Sequence, residues 1–241
     1  MTRCHVCRAE MAASARFCGA CGTPTRAHQK RVIAADRGER RHNLRAALVL
    51  AVACTVPLFG LVAVAFGFEL DDDRWSDLAL AWSPIVVAAV VGALIGGRPA
   101  DTFPARPAWR WLPAAVPAAA LSLAASVGFV ALFRDGAAHG RTPGAAALVS
   151  LVVLAPLLEE WLCRGVAWRA AAAMSSPRAA LLLTAILFAF LHGLQGHMLA
   201  LPHRFVAGLV FGALRLGSRS LWPGILAHAL HNAAAVYWLG D

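Results

Sequence analysis

Beyond Arg45 the chain is a succession of apolar runs cut by short polar breaks. The runs cover about 46–68, 78–97, 111–133, 145–173, 179–195, 203–216 and 222–239. The breaks read LDDDRWSD, RPADTFPARPAWR, RDGAAHGRTPG, SSPR, HRF and RLGSRS. A straight helical crossing of a bilayer takes about 20 apolar residues. The pattern therefore predicts an all-α fold, a polytopic transmembrane bundle of about seven spans. The runs at 203–216 and 222–239 are the weakest, and the number of spans becomes even if one segment is re-entrant. The first 45 residues lack this pattern. The expected organisation is a small head at 1–23, a basic linker at 24–45, N-terminal spans at 46–140 and a C-terminal core at 141–241.

Composition sharpens this picture. Hydrophobic residues make up 59% of the 241, and the mean hydropathy is +0.63. Soluble domains hold about 45–50% apolar residues. A net charge of +9 is one that nucleic-acid binders share, but ten of the 22 Lys and Arg lie in residues 1–45. Basic residues collect on the cytoplasmic side of membrane proteins and beside anionic lipid. The expected partner is thus a lipid bilayer, with no nucleic acid. With the head inside, the inner breaks carry Arg98, Arg106, Arg110, Arg164, Arg169, Arg178, Arg215 and Arg219. The outer ones carry Arg74, Arg134, Arg141 and Arg204, with Asp71, Asp72 and Asp73 also outside. This asymmetry predicts a multi-pass protein of the cell membrane with a cytoplasmic N-terminus. Trp109, Trp111 and Trp222 read as interface anchors. Cys54 and Cys163 read as small packing residues.

The head opens MTRCHVCRAEMAASARFCGACGTP. Cys4, Cys7, Cys18 and Cys21 form two C-x-x-C pairs, a spacing that brings four thiolates to one tetrahedral zinc ion. Gly19 and Gly22 suit the sharp turns of such knuckles. Two disulfides or a redox pair are the alternatives. Disulfides need an oxidising side, and no signal-peptide pattern opens the chain. The zinc would be structural, because four thiolates leave no open coordination position. A module this short buries little core and should need its metal to fold. The following stretch, PTRAHQKRVIAADRGERRHNLR, reads as a solvated basic tether.

Between Gly144 and Gly240 the only acidic residues are Glu159 and Glu160. A charge inside a span costs roughly 2.5–3.5 kcal/mol on insertion scales and usually faces a bundle interior or a water-filled cavity. Glu160 and Arg164 stand four apart and share a helical face. Glu159 is turned from Arg164 by about 140°. One carboxylate is thus neutralised, and the other is available as a general base. The Ser175-Ser176-Pro177 break separates this helix from the next. Glu159 lies sixteen residues before Ser175, and His192 lies sixteen after Ser176. An antiparallel helix pair then holds both at one depth, about 24 Å from the turn. His228 and Asn232, also four apart, can donate hydrogen bonds to an oxyanion. A Glu–His–His set also has the donor types for zinc. His228 lies only about seven residues into its span, shallower than the other pair, and His231 points to another face. His197 and His203 fall at an expected outer edge.

Glu159-Glu160-x-x-x-Arg164, Phe188-x-x-x-His192 and His228-x-x-x-Asn232 together resemble the motifs of the CPBP family. This family includes the type II CAAX prenyl proteases and the bacteriocin-processing and self-immunity proteins. Phe205-x-x-Gly208-x-x-x-Gly212, closed by Leu221-Trp222-Pro223, is similar to the family's stretch before its last motif. The resemblance covers about 144–240 and does not extend to the head. It implies an intramembrane endopeptidase acting on a peptide or protein substrate in the membrane. It further implies that Glu159 and His192 activate water, that Glu160 and Arg164 support them, and that His228 and Asn232 hold the oxyanion. A glutamate-dependent mechanism without an active-site metal is the one now favoured for the family. Two other readings stand beside it. One is a non-catalytic immunity or scaffold protein using the same polar cavity to bind peptide. The other is a small transporter with Glu159 as proton carrier.

Overall fold

The computed structural model describes residues 2–18, 20–70, 74–96, 108–133, 143–193 and 201–239. Gly19, Asp71, Asp72, Asp73, Arg98, Arg106, Arg134, Arg141 and His197 lie outside the described residues. The chain divides into two compact units, Met1–Leu44 and Arg45–Asp241.

In the first unit, β1 (Thr2–Arg3) pairs antiparallel with β2 (Glu10–Met11). Between them Cys4 N donates to Ala9 O at 2.9 Å and Arg8 N to Cys4 O at 3.1 Å. The second knuckle repeats this plan: Cys18 N donates to Thr23 O at 2.9 Å and Gly22 N to Cys18 O at 2.8 Å. Each turn needs a left-handed residue four positions after its first cysteine. Gly22 fills that place at φ 68° without strain, and Arg8 fills it at φ 62° against its Cβ.

Helix α1 (Arg26–Gly67) follows at once. Thr25 caps it, its Oγ1 accepting from His28 N at 3.3 Å. The basic stretch expected as a tether is therefore helical from Arg26. Cap chemistry and good helix formers outweigh its charge, and most of it stays exposed.

Six more helices complete the second unit. They are α2 (Trp75–Ile95), α3 (Ala115–Phe133, entered by the 3-10 stretch Trp109–Ala114), α4 (Ala145–Met174), α5 (Pro177–Gly193), α6 (Leu201–Ser218) and α7 (Trp222–Leu239). Among the described residues, seven helices thus occupy the seven apolar runs in an all-α bundle. Four of the helices among the described residues meet the length and apolarity of a membrane span: α1, α2, α3 with its 3-10 lead, and α4. Helix α5 is apolar but has 17 residues.

Small residues let the helices approach closely, the usual device of membrane bundles. A Cβ on Gly208 of α6 would come within 3.0 Å of Ala185 Cα on α5, and one on Gly212 would meet the Leu181 side chain. The Trp111 ring covers Gly217, which puts the start of α3 and the end of α6 at one end of the bundle. Trp109, Trp111 and Trp222 are partly or largely exposed, as interface residues should be. The core joins Ile85, Leu162, Val166, Phe188, Leu191 and Phe211 from α2, α4, α5 and α6.

Helix α4 is irregular. It widens into π-helix at Ser150–Leu154 and again at Trp161–Ala167, on either side of the glutamate pair. Such bulges recur at functional sites.

Candidate active site

Helix α4 carries Glu159 and Glu160, both buried, and Arg164 at 0% exposure. Arg164 Nη1 stands 3.1 Å from Glu160 Oε1, and Nη2 donates to Gly208 O at 2.7 Å. Its guanidinium also lies over the Phe188 ring, 4.7 Å from the centroid. One arginine thereby neutralises Glu160, ties α4 to α6 and covers an aromatic face.

Glu159 faces two imidazoles. Its Oε2 lies 3.8 Å from His192 Nε2 and 3.9 Å from His228 Nε2. These gaps exceed a direct hydrogen bond, and one water can bridge each. His192 Nδ1 donates to Phe188 O at 2.8 Å. In the neutral ring this fixes the tautomer and leaves Nε2, on the Glu159 side, as an acceptor. The hairpin of α4 and α5 achieves the pairing, with each residue sixteen positions from the Ser175-Ser176 turn.

His228 reaches the same depth, although its position early in α7 points to a shallower one. Helix α7 begins beside the glutamates: a Cβ on Gly224 would come within 3.2 Å of Glu160 Oε2. His228 Nδ1 stands 3.6 Å from Glu160 Oε1, so the ring spans both carboxylates. Phe211 stacks on it, with centroids 4.9 Å apart and planes 20° apart. Phe188 meets it edge-on. Asn232, one turn further, donates from Nδ2 to Leu151 O at 2.8 Å, an acceptor within the first π segment.

Two residues escape a reading by spacing. Ser122 of α3 donates to Ala119 O at 3.0 Å and accepts from His231 Nδ1 at 2.9 Å. The face of α7 that His231 occupies is thus pinned to α3. Arg204, counted among the outer breaks, lies inside α6, and its neighbour His203 is 9% exposed. Both hold buried nitrogens, Arg204 Nε and His203 Nδ1, without a hydrogen-bond partner. Glu159 Oε2, both Glu160 carboxylate oxygens and His228 Nδ1 are likewise buried and unpaired by hydrogen bonds. Such a concentration of unsatisfied buried polar atoms marks a place built to receive something.

The comparisons with known proteins fall on this same stretch. Residues 141–234 match the family model of the type II CAAX prenyl endopeptidases, Rce1-like. The C-terminal core is a CAAX protease-family domain. No curated protein and no solved structure matches the chain significantly. The CAAX protease domain runs from the start of α4 into α7 and contains every residue of the glutamate–histidine cluster. An endopeptidase of the CAAX protease type, working in a membrane, is what this membership indicates.

The head supplies the other chemical centre. The Sγ atoms of Cys4, Cys7, Cys18 and Cys21 all lie within 4.8 Å of one another, close enough to hold a metal ion such as zinc. Among the described residues this is the one group of ligand atoms with that spacing. Cys4 and Cys18 are buried, Cys7 and Cys21 exposed. Thr23 Oγ1 lies 3.2 Å from the Cys21 sulfur, and this contact, with the Thr23 backbone, holds the Cys21 thiol down to about 6. A thiolate is the form a metal takes.

Proposed function

We propose that the protein is a glutamate-dependent intramembrane endopeptidase. The observation that carries this reading is Glu159 Oε2, buried between His192 Nε2 and His228 Nε2 within the CAAX protease domain. Both Glu159 and the neutral His192 ring offer acceptors. A water held between them gives one hydrogen to each and keeps a lone pair for attack on a peptide carbonyl. Glu159 takes the water's proton and later returns it to the departing amine. His228 and the second N–H of Asn232 Nδ2 donate to the oxygen as it becomes an oxyanion. Arg164 compensates the Glu160 charge, so Glu159 works as the free base of the pair.

The substrate on this reading is a membrane-associated peptide or protein segment. The head, residues 1–23, is a zinc ribbon with a structural ion, and it faces the cytoplasm by the distribution of basic residues. Four thiolates would hold the zinc and leave no position for substrate.

The test is cleavage of a library of quenched peptides by the purified full-length chain in detergent. Glu159→Gln keeps the shape and removes the base. Its rate should fall by about 10²- to 10⁴-fold, and chelator should leave the wild-type rate intact. Equal cleavage by Glu159→Gln would sink the proposal. Loss of activity with chelator, restored by zinc, would replace it with a metal mechanism if the protein lacking the four cysteines behaved the same way.

A further inference from the structure

The mechanism leaves one cation beside its base unused. Arg204, Gly208 and Phe211 are spaced four and three apart, so they share one face of α6. Gly208 O accepts from Arg164, and Phe211 stacks on His228. That face is the wall of the catalytic cluster, and Arg204 extends it by one turn, about 6 Å along the helix. Its charge lies within electrostatic reach of Glu159, His192 and His231.

Arg164 and Arg204 differ in how they are satisfied. Arg164 has Glu160 at 3.1 Å and a backbone carbonyl at 2.7 Å. Both arginines keep a buried Nε without a hydrogen-bond partner, but among the described residues no such carboxylate or carbonyl offsets this for Arg204. Beside it His203 packs its ring on Phe129 at 5.0 Å and keeps a buried Nδ1 equally without partner. A cation on an apolar helix is costly and marks function by default. Open donors on a guanidinium match the two oxygens of a carboxylate. A peptide lying across Glu159 can bring a carboxylate there, because each of its residues spans about 3.3–3.6 Å.

We propose that Arg204, with His203 beside it, is a specificity site that holds a carboxylate of the peptide substrate within a few residues of the bond cut. This rests on the peptidase reading. The carboxylate comes either from the peptide's C-terminus or from an acidic side chain, and the two sources separate cleanly by experiment.

The experiment uses the full chain in detergent and matched pairs of quenched peptides. One pair differs as C-terminal free acid and amide, the other as Glu and Gln at positions flanking the cut bond. The wild type should favour one carboxylate-bearing member by about ten- to a hundredfold in kcat/KM, the scale of a charged hydrogen bond. The pair that responds names the source. Arg204→Gln should bring the ratio close to one through KM, and Arg204→Lys should keep part of it as a point charge without the fork. A wild-type ratio near one in both pairs overturns the proposal without any variant. So does an unchanged preference in Arg204→Gln. If the wild type cuts no peptide, the peptidase reading has failed, and equilibrium binding of fluorescent acid and amide peptides decides the carboxylate site separately. Tighter binding of the acid that is lost in Arg204→Gln upholds it, and equal binding of both overturns it.

Discussion

The head and the C-terminal bundle both collect side chains of ligand type, and they do so by opposite means. In the head four cysteines arise from 18 consecutive positions, set by two copies of one backbone turn. Two of the four are exposed, and little apolar area surrounds them. The ligands hold the fold. In the bundle Glu159, His192 and His228 come from three helices and converge where Gly208 and Gly212 let α6 close on α5 and Gly224 lets α7 close on α4. There the fold holds the ligands. With the proposed zinc in place, a centre of the first kind depends on its ion, whereas one of the second kind depends on packing elsewhere.

That contrast can be broken in four ways. Metal removal should act most strongly, because structural zinc contributes about 10–16 kcal/mol to folding in small modules. Chelation at neutral pH should abolish the amide dispersion of residues 1–24 in an NMR spectrum while peptide cleavage continues. Acid should release the metal in the same way, since protons compete for the thiolates. A head that stayed folded without metal would remove the difference between the two regions. Arg164→Met comes next. It leaves Glu160 buried without its partner, a loss of about 3–5 kcal/mol, read as a lower unfolding temperature in detergent with the head's metal content unchanged. Gly208→Val tests packing alone. Its Cβ strikes Ala185 and should cost about 1–3 kcal/mol, together with a disproportionate loss of cleavage as α5 and α6 separate. Ser122→Ala is the mildest, removing the bond to His231 for about 1 kcal/mol. Stability should drop slightly while KM stays put.

Much of this was legible in the sequence. Hydropathy located the seven helices, because a bilayer allows few alternatives to a helix of apolar residues. The Glu160–Arg164 pair and the common depth of Glu159 and His192 follow from helical rise and one turn. Local periodicity carries no information about tilt or about which helices touch. His228 therefore looked too shallow, and its position depends on α7 starting against Glu160 at Gly224. Arg204 read as a loop charge because Pro202 and two basic residues interrupt the apolar run, yet α6 begins before them. Ser122 lies 109 residues from His231, and no motif announces a lone serine in an alanine-rich helix. The helical start at Arg26 was hidden by charge, although Thr25 is a good cap.

The two π segments of α4 have a consequence for how this helix tolerates changes in length. A wide turn stores roughly one residue more than a regular helix of the same rise would use. Deleting a single residue from Trp161–Ala167 should tidy the backbone ladder and leave the helix beyond it in place, while the residues inside the wide turn, Arg164 among them, shift relative to the glutamates. Arg164 and Glu160 would then face different neighbours. The shortened helix would be the better-formed one and the chain the poorer enzyme, so an ordinary rise in helical order becomes the signature of a broken site.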